Sequence, residues 1–280
     1  MPDRYDAIAA GLRPDETVER PVPGRGIMLP DRSLVQVAPP PAGRDVPSDV
    51  TVRPSWRIVD LPQLVTLSHL TRDEPGLVVP GQTRVVLGHS GEEGLPATLP
   101  LDAHGTWCVL GPRRAGRTTA LHVVADQLRS AGRPIVQVVS PSGKHLTGLP
   151  SLGPDDVDAL VAHVQRHDTG VVLVDDIEEL DGTPVRDALH TLVAHSARSG
   201  VLMLASSTTH AAAGVRGLAP TACRARAGLL LQPHNRTDGD PLGVRVPPTE
   251  RVPGRGYLVA HGETTEVQVA LPHRLATDAA

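Results

Sequence analysis

Phenylalanine is absent from this 280-residue chain, which also holds only two Trp, two Tyr, two Cys and a single lysine, Lys144. Without Phe, a core must be filled by Val, Leu and Ala, and there is no aromatic set on which single-stranded nucleic acid would stack. Arginine carries nearly all the positive charge, a bias expected of a GC-rich genome rather than of a function. The net charge of −4 excludes a global basic field for nucleic acid. Cys108 and Cys223 lie in apolar contexts and read as buried thiols of a reducing compartment, not as a disulfide framework. No stretch approaches 18 apolar residues, and no basic-then-apolar leader opens the chain. The expected location is the cytoplasm, with any membrane recruitment left to a partner or a further N-terminal part.

What is present is size and punctuation. The length suits one full domain plus additional pieces, and 40% of residues are hydrophobic. The centre of the chain is the stretch 105–125, GTWCVLGPRRAGRTTALHVVA. Trp107 to Leu110 reads as a strand. Gly111-Pro112-Arg113-Arg114-Ala115-Gly116-Arg117-Thr118-Thr119 follows, and then an apolar pattern at helical spacing through Leu121, Val124, Ala125 and Leu128. Strand, glycine loop and helix in that order are the setting of a phosphate-binding P-loop. Glycines let successive backbone N–H groups converge on an anion, and the helix aims its positive end at the same point. Thr118 would place its hydroxyl on Mg²⁺. The lysine of the usual G-x-x-x-x-G-K-[ST] pattern is replaced by Arg117, which keeps the charge but is planar and bulkier.

A second site element follows about 60 residues later. Gly170-Val-Val-Leu-Val-Asp175-Asp176 is an apolar strand ending in two carboxylates. In P-loop enzymes such a strand is expected beside the P-loop strand, its first acid in the Mg²⁺ shell and its second acting on the attacking water. Here Asp175 takes the first place and Asp176 the second. Val201–Ala205 reads as another buried strand, and Ser206-Ser-Thr-Thr209 at its end supplies hydroxyls that either sense nucleotide or simply terminate the strand. Pro154 is expected to open a helix through Val164, and Thr183-Pro184 to cap and start the next, on which His190 and His195 read as surface or lightly packed. Strands alternating with helices predict an α/β fold with a mainly parallel sheet and nucleotide at the carboxyl ends of the strands.

The two ends of the chain repeat each other. Val22-Pro-Gly-Arg-Gly26 recurs as Val252-Pro-Gly-Arg-Gly256, and Val35-Gln-Val-Ala38 as Val267-Gln-Val-Ala270. Arg4-x-Asp6 matches Arg236-x-Asp238, and Gly11-x-Arg13 matches Gly243-x-Arg245. The offset is 232 residues, dropping to 230 at the pentamer. That period is a domain, not a solenoid repeat. Residues 1–38 are therefore expected to be the closing segment of a preceding module, 39–54 a stiff proline-rich linker, 55–272 a complete module and 273–280 a tail.

The motifs GPRRAGRTTAL, VVLVDD, ASSTTHAAAGVRGLA, ARAGLLLQP and VPGRGYLV, in that order, resemble the FtsK/SpoIIIE motor ATPases, and most of all actinobacterial multi-module members such as the EccC ATPases of type VII secretion. The resemblance implies a RecA-like core with peripheral strands, and ATP with Mg²⁺. It also implies partnership with neighbouring ATPase modules or self-association into a ring, and a cargo of DNA or of secreted protein. Carried over by position, Gly111, Pro112, Arg113, Arg114, Ala115, Gly116, Arg117, Thr118 and Thr119 would cradle phosphates. Thr118 and Asp175 would hold Mg²⁺, and Asp176 and Arg117 would take the catalytic places. Three departures stand out: Arg for Lys at 117, Asp for Glu at 176, and no strand-end Gln near Ser206. Each removes positioning or charge on which phosphoryl transfer depends, so a degenerate module with weak or absent turnover is expected. Two readings follow: an ATPase module of a translocase, and a regulatory or docking module in which nucleotide is a structural ligand. Arg113, Arg114, Arg224 and Arg226 are candidates for a basic strip facing DNA, or for contacts with phosphates and neighbouring acids.

Overall fold

The computed structural model describes residues 25–28, 33–36, 60–73, 84–91, 94–101, 105–142 and 145–272. The expected linker 39–54 and tail 273–280 lie outside the described residues. The chain divides into two units, Met1–Ser55 and Trp56–Ala280.

In the first unit, β1 (Arg25–Met28) pairs antiparallel with β2 (Ser33–Gln36) as a two-stranded sheet. The second unit begins with α1 (Leu67–Asp73), β3 (Arg84–Ser90) and β4 (Leu95–Pro100). The P-loop strand β5 (Thr106–Leu110) and the helix α2 (Arg117–Ser130) come next. β6 (Ile135–Val138), β7 (Ser151–Leu152), α3 (Val157–Arg166), β8 (Val171–Val174), α4 (Arg186–Ser199) and β9 (Leu202–Ser207) follow. Two short helices, α5 (Thr209–Ala212) and α6 (Leu218–Ala222), lead to β10 (Gly228–Leu231), β11 (Arg255–Ala260) and β12 (Glu263–Val269).

These strands form a single ten-stranded sheet in the order β4-β3-β12-β11-β10-β5-β9-β8-β6-β7. From β10 to β7 every pairing is parallel, and from β10 outward to β4 every pairing is antiparallel. The apolar runs explain the parallel part. All five residues of β5 and all four of β6 and of β8 are buried, as strands covered on both faces must be. Their alternation splits the core in two. Trp107, Val109, Leu173 and Leu204 pack with Leu121, Val124 and Leu128 of α2. Cys108, Leu110, Val172, Val174 and Met203 face Leu160 of α3 and Leu189 and Leu192 of α4 on the other side. Both cysteines are buried and free, and Cys108's thiol is pushed up by its hydrogen bond with Cys223 and by burial.

The expected strand neighbours need one correction. The acidic strand β8 does not lie beside β5, because β9 pairs with both and stands between them. Sequence order does not reveal this, since a crossover helix can return a strand to either side of its predecessor. A second difference is local. α4 begins at Arg186, two residues beyond Pro184, and the Thr183 hydroxyl donates to the Leu180 carbonyl instead of capping the helix. Among the described residues no helix is long and apolar enough to cross a membrane.

Candidate nucleotide site

The strand β5 delivers the chain to Gly111, whose N–H donates to the Ser207 carbonyl at the end of β9. Arg114 and Gly116 then take positive φ, 68° and 102°, and the chain turns into α2. At 102° a side chain would be strained, so glycine at 116 is what lets the loop close over an anion. The first N–H groups of α2 have no partner within the helix and point at the loop's centre.

A cavity of about 810 Å³ opens over this turn, lined by Arg113, Arg114, Gly116, Arg117, Thr118 and Thr119 from the loop and helix. Asp176, Glu178, Glu179, Ser142, Thr208 and Pro253 complete the lining. Gly111, Pro112 and Ala115 shape the turn behind it, and Asp175 sits against Thr118. Arg224 and Arg226 are not among the residues lining this cavity, so the arginines considered as one basic strip divide into two groups.

Four contacts define the site. The Thr118 hydroxyl donates to Asp175 Oδ2 at 2.7 Å. Ser206 donates to the other oxygen, Asp175 Oδ1, and accepts from the Asp176 N–H at 2.9 Å. The interposed strand β9 thus carries the hydroxyl that orients the acid. Arg117 Nη2 meets Asp176 Oδ1 at 2.8 Å, as an ion pair and not as an aligned hydrogen bond. Arg117 Nη1 is buried and has no hydrogen-bond partner. Asp176 itself has positive φ, 53°. Burial pushes its carboxyl up; Arg117 pulls it down, and Asp175, Glu178 and Glu179 push it up further. Desolvation therefore outweighs the single cation beside it.

Three acids of the turn after β8 accept from backbone N–H groups, while Glu178 Oε2 is buried without a hydrogen-bond partner. Glu178 accepts from the Thr208 N–H at 3.0 Å, Glu179 from the Ser142 N–H at 3.1 Å, and Asp181 from the Leu218 N–H at 2.8 Å. The Ser142 side chain, through its own hydrogen bond, holds the Glu179 carboxyl low, and the Ser142 N–H adds to this. Sequence reasoning did not single out Ser142, Glu178, Glu179 or Pro253 as site residues. The available signal was the density of acids directly after a buried strand, which needs partners when it lies against a sheet edge.

Hard oxygen donors from Thr118 and Asp175 fit Mg²⁺, which takes few protein ligands and completes its shell from phosphate and water. Among the described residues no group of three or more His, Cys, Asp or Glu could hold a metal ion by itself.

The fold is that of P-loop NTPase modules. The chain has the fold of the FtsK/SpoIIIE-type ATPase modules seen in three solved structures. The cytoplasmic domain of EssC superposes with a TM-score of 0.63 at 14% identity, over 97% of this chain and 62% of that one. The cytoplasmic domain of the Thermomonospora curvata type VII secretion ATPase EccC gives 0.53 at 16%, over 76% and 28%. The pCW3 conjugation coupling protein TcpA, in its monomer form with ATPγS, gives 0.56 at 14%, over 76% and 71%. At these identities the likeness is one of fold. Among curated proteins, type II secretion system protein E of Xanthomonas campestris pv. campestris is 28% identical over 117 residues, 40% of this chain. The chain spans about one fifth of that relative and under two thirds of the EssC and EccC structures. No family model matches the sequence.

Proposed function

We propose that this chain is an ATP-binding module of a translocase motor, one that holds nucleotide with Mg²⁺ but turns it over slowly or not at all. The observation that carries the reading is the buried Nη1 of Arg117, which has no hydrogen-bond partner, on a residue that lines the cavity over the P-loop turn. A buried cationic donor without an acceptor is costly, and a phosphate oxygen is the acceptor this geometry suits. The converging N–H groups of the loop and the hydroxyls of Thr118 and Thr119 add to the same anion cradle.

Mg²⁺, when bound, would supply neutralisation of phosphate charge. Thr118 and Asp175 would hold it, with Ser206 fixing the orientation of Asp175. Asp176 is the acid placed to act on water, and here its oxygen faces Arg117. The pair engages Asp176 Oδ1 with Arg117, so that oxygen is not free to position water although burial raises the carboxyl's pKa. Low turnover follows from that one contact. The secretion and conjugation functions of the neighbours favour a cargo-moving assembly in which other modules hydrolyse ATP and this one binds it for shape. In that assembly the docking role and the motor role belong to the same surface: nucleotide fixes the P-loop, and the fixed P-loop presents the module to its neighbours.

Titration of the chain with a fluorescent ATP analogue tests this. Affinity is expected to fall about tenfold or more when Mg²⁺ is chelated, or in Thr118→Ala, which loses a hydrogen bond to a charged group. Absence of binding by the parent chain with Mg²⁺ present would overturn the proposal.

A further inference from the structure

We infer that β1 and β2 are the closing hairpin of a second P-loop module of this same fold, the one preceding this module in a tandem array. Their docking surface is then the gap between that module's counterparts of β10 and β3. The argument starts from register. Arg25 pairs with Gln36 and Gly26 with Val35. In the complete module Arg255 pairs with Gln268 and Gly256 with Val267. The repeated residues thus occupy the same cross-strand positions in both hairpins. The two-residue change in offset falls between the repeated positions: β1 and β2 pair over four residues each, and β11 and β12 over six each.

Burial separates this reading from a chance duplication of a hairpin. In the complete module Gly254, Arg255, Gly256, Val267, Gln268, Val269 and Ala270 are all buried, and each is identical in the repeat. Residues 263–265, which are exposed, are not repeated, and Ser33 stands at the place of Thr265. Within the hairpin strands the identical residues are buried ones, while Tyr257 and Val259, also buried, are not repeated, and Pro253, which is repeated, is exposed. In the first unit their counterparts are less covered: Gln36 is exposed where Gln268 is 2% exposed, and Val35 is half-buried where Val267 is fully buried.

Gly256 shows what the slot demands. A Cβ there would lie 2.1 Å from the Leu230 carbonyl oxygen, because β10 runs directly alongside. Glycine is required at this place only when such a strand is present, and Gly26 keeps it in a hairpin with no third strand among the described residues. The Gly254 N–H also donates to the Ala115 carbonyl in the P-loop at 2.8 Å, and Pro253 lines the cavity. The sequence Val22-Pro23-Gly24 would bring the same turn to the neighbouring module's P-loop. That module's nucleotide site is then incomplete without this chain.

The test is a graft within the full chain, replacing residues 252–270 by residues 22–38. The grafted chain is expected to fold and to melt well above the scrambled control, since the identical buried residues are retained although Tyr257 and Val259 are lost. A graft carrying Gly26→Val, and one with the hairpin residues scrambled, are expected to melt at least about 10 °C lower or to fail to fold. A graft that behaves like the scrambled control would overturn the inference, and so would a Gly26→Val graft as stable as the unsubstituted one. The readout is folding, so it stands or falls separately from nucleotide binding by the parent.

Discussion

At the scale of single residues, the proposed function turns on one ion pair. Arg117 is buried, meets the Asp176 carboxylate through Nη2, and carries an Nη1 without a partner, to which the proposed function assigns a phosphate. Removing it does two things at once. Arg117→Ala deletes a charge-assisted donor, and it leaves Asp176, Glu178 and Glu179 around a cavity meant for an anion. Affinity for ATP is expected to fall about 10- to 100-fold, the size of a lost hydrogen bond to a charged group. Arg117→Lys, which keeps the charge, is expected to lose much less. Fluorescent nucleotide titration of both variants measures the difference. Equal losses would mean that the guanidinium's shape, and not its charge, holds the phosphate.

At the scale of elements, what could be read from sequence was what neighbours in the chain determine. The strand, glycine turn and helix from Thr106 to Ser130 lie where the apolar pattern and the glycines put them, because each piece answers to residues a few positions away. The site's other half depends on sheet order. Ser206 reaches Asp175 only because β9 is inserted between β5 and β8, and no spacing in the sequence encodes that insertion. Thr183 misled for a related reason, since its hydroxyl found a carbonyl in the preceding turn before the helix began. The far ends of the same elements carry a different charge pattern. At the seam between α3 and β8, His163 is shifted low, first by burial and then by His167, with Arg166 adding to the effect. The folded chain therefore resists protonation that the unfolded chain accepts. Stability is expected to be full above the ordinary value of 6.5 and to fall as the pH drops from there through the lowered folded value. Melting temperatures measured from pH 7.5 to 5 should show a shallower acid limb in His163→Gln than in the parent. An unchanged limb would assign the acid sensitivity elsewhere.

At the scale of the whole molecule, one sheet joins two designs. Its parallel half builds the cradle, and its antiparallel half ends in a turn that packs back on the P-loop through the Gly254–Ala115 hydrogen bond. The segment that enters the module is tied to the same turn. Arg255 donates to the Leu61 and Pro62 carbonyls at 2.9 and 3.1 Å and, through Nε, to Gln268 at 2.9 Å. Entry, closure and nucleotide site are thus one hydrogen-bonded block, which is the arrangement a module in an array needs if nucleotide is to hold its shape. The central claim is binding with little turnover, caused by the Arg117–Asp176 pair. Its most direct measurement is ATP affinity and phosphate release, side by side with Mg²⁺ present, for the parent chain and for an Arg117→Lys, Asp176→Glu double variant. The account predicts that both bind, that the parent releases almost no phosphate, and that the variant releases it measurably faster. Release by the parent at about 1 s⁻¹ or more, the ordinary range of enzymes, would contradict it.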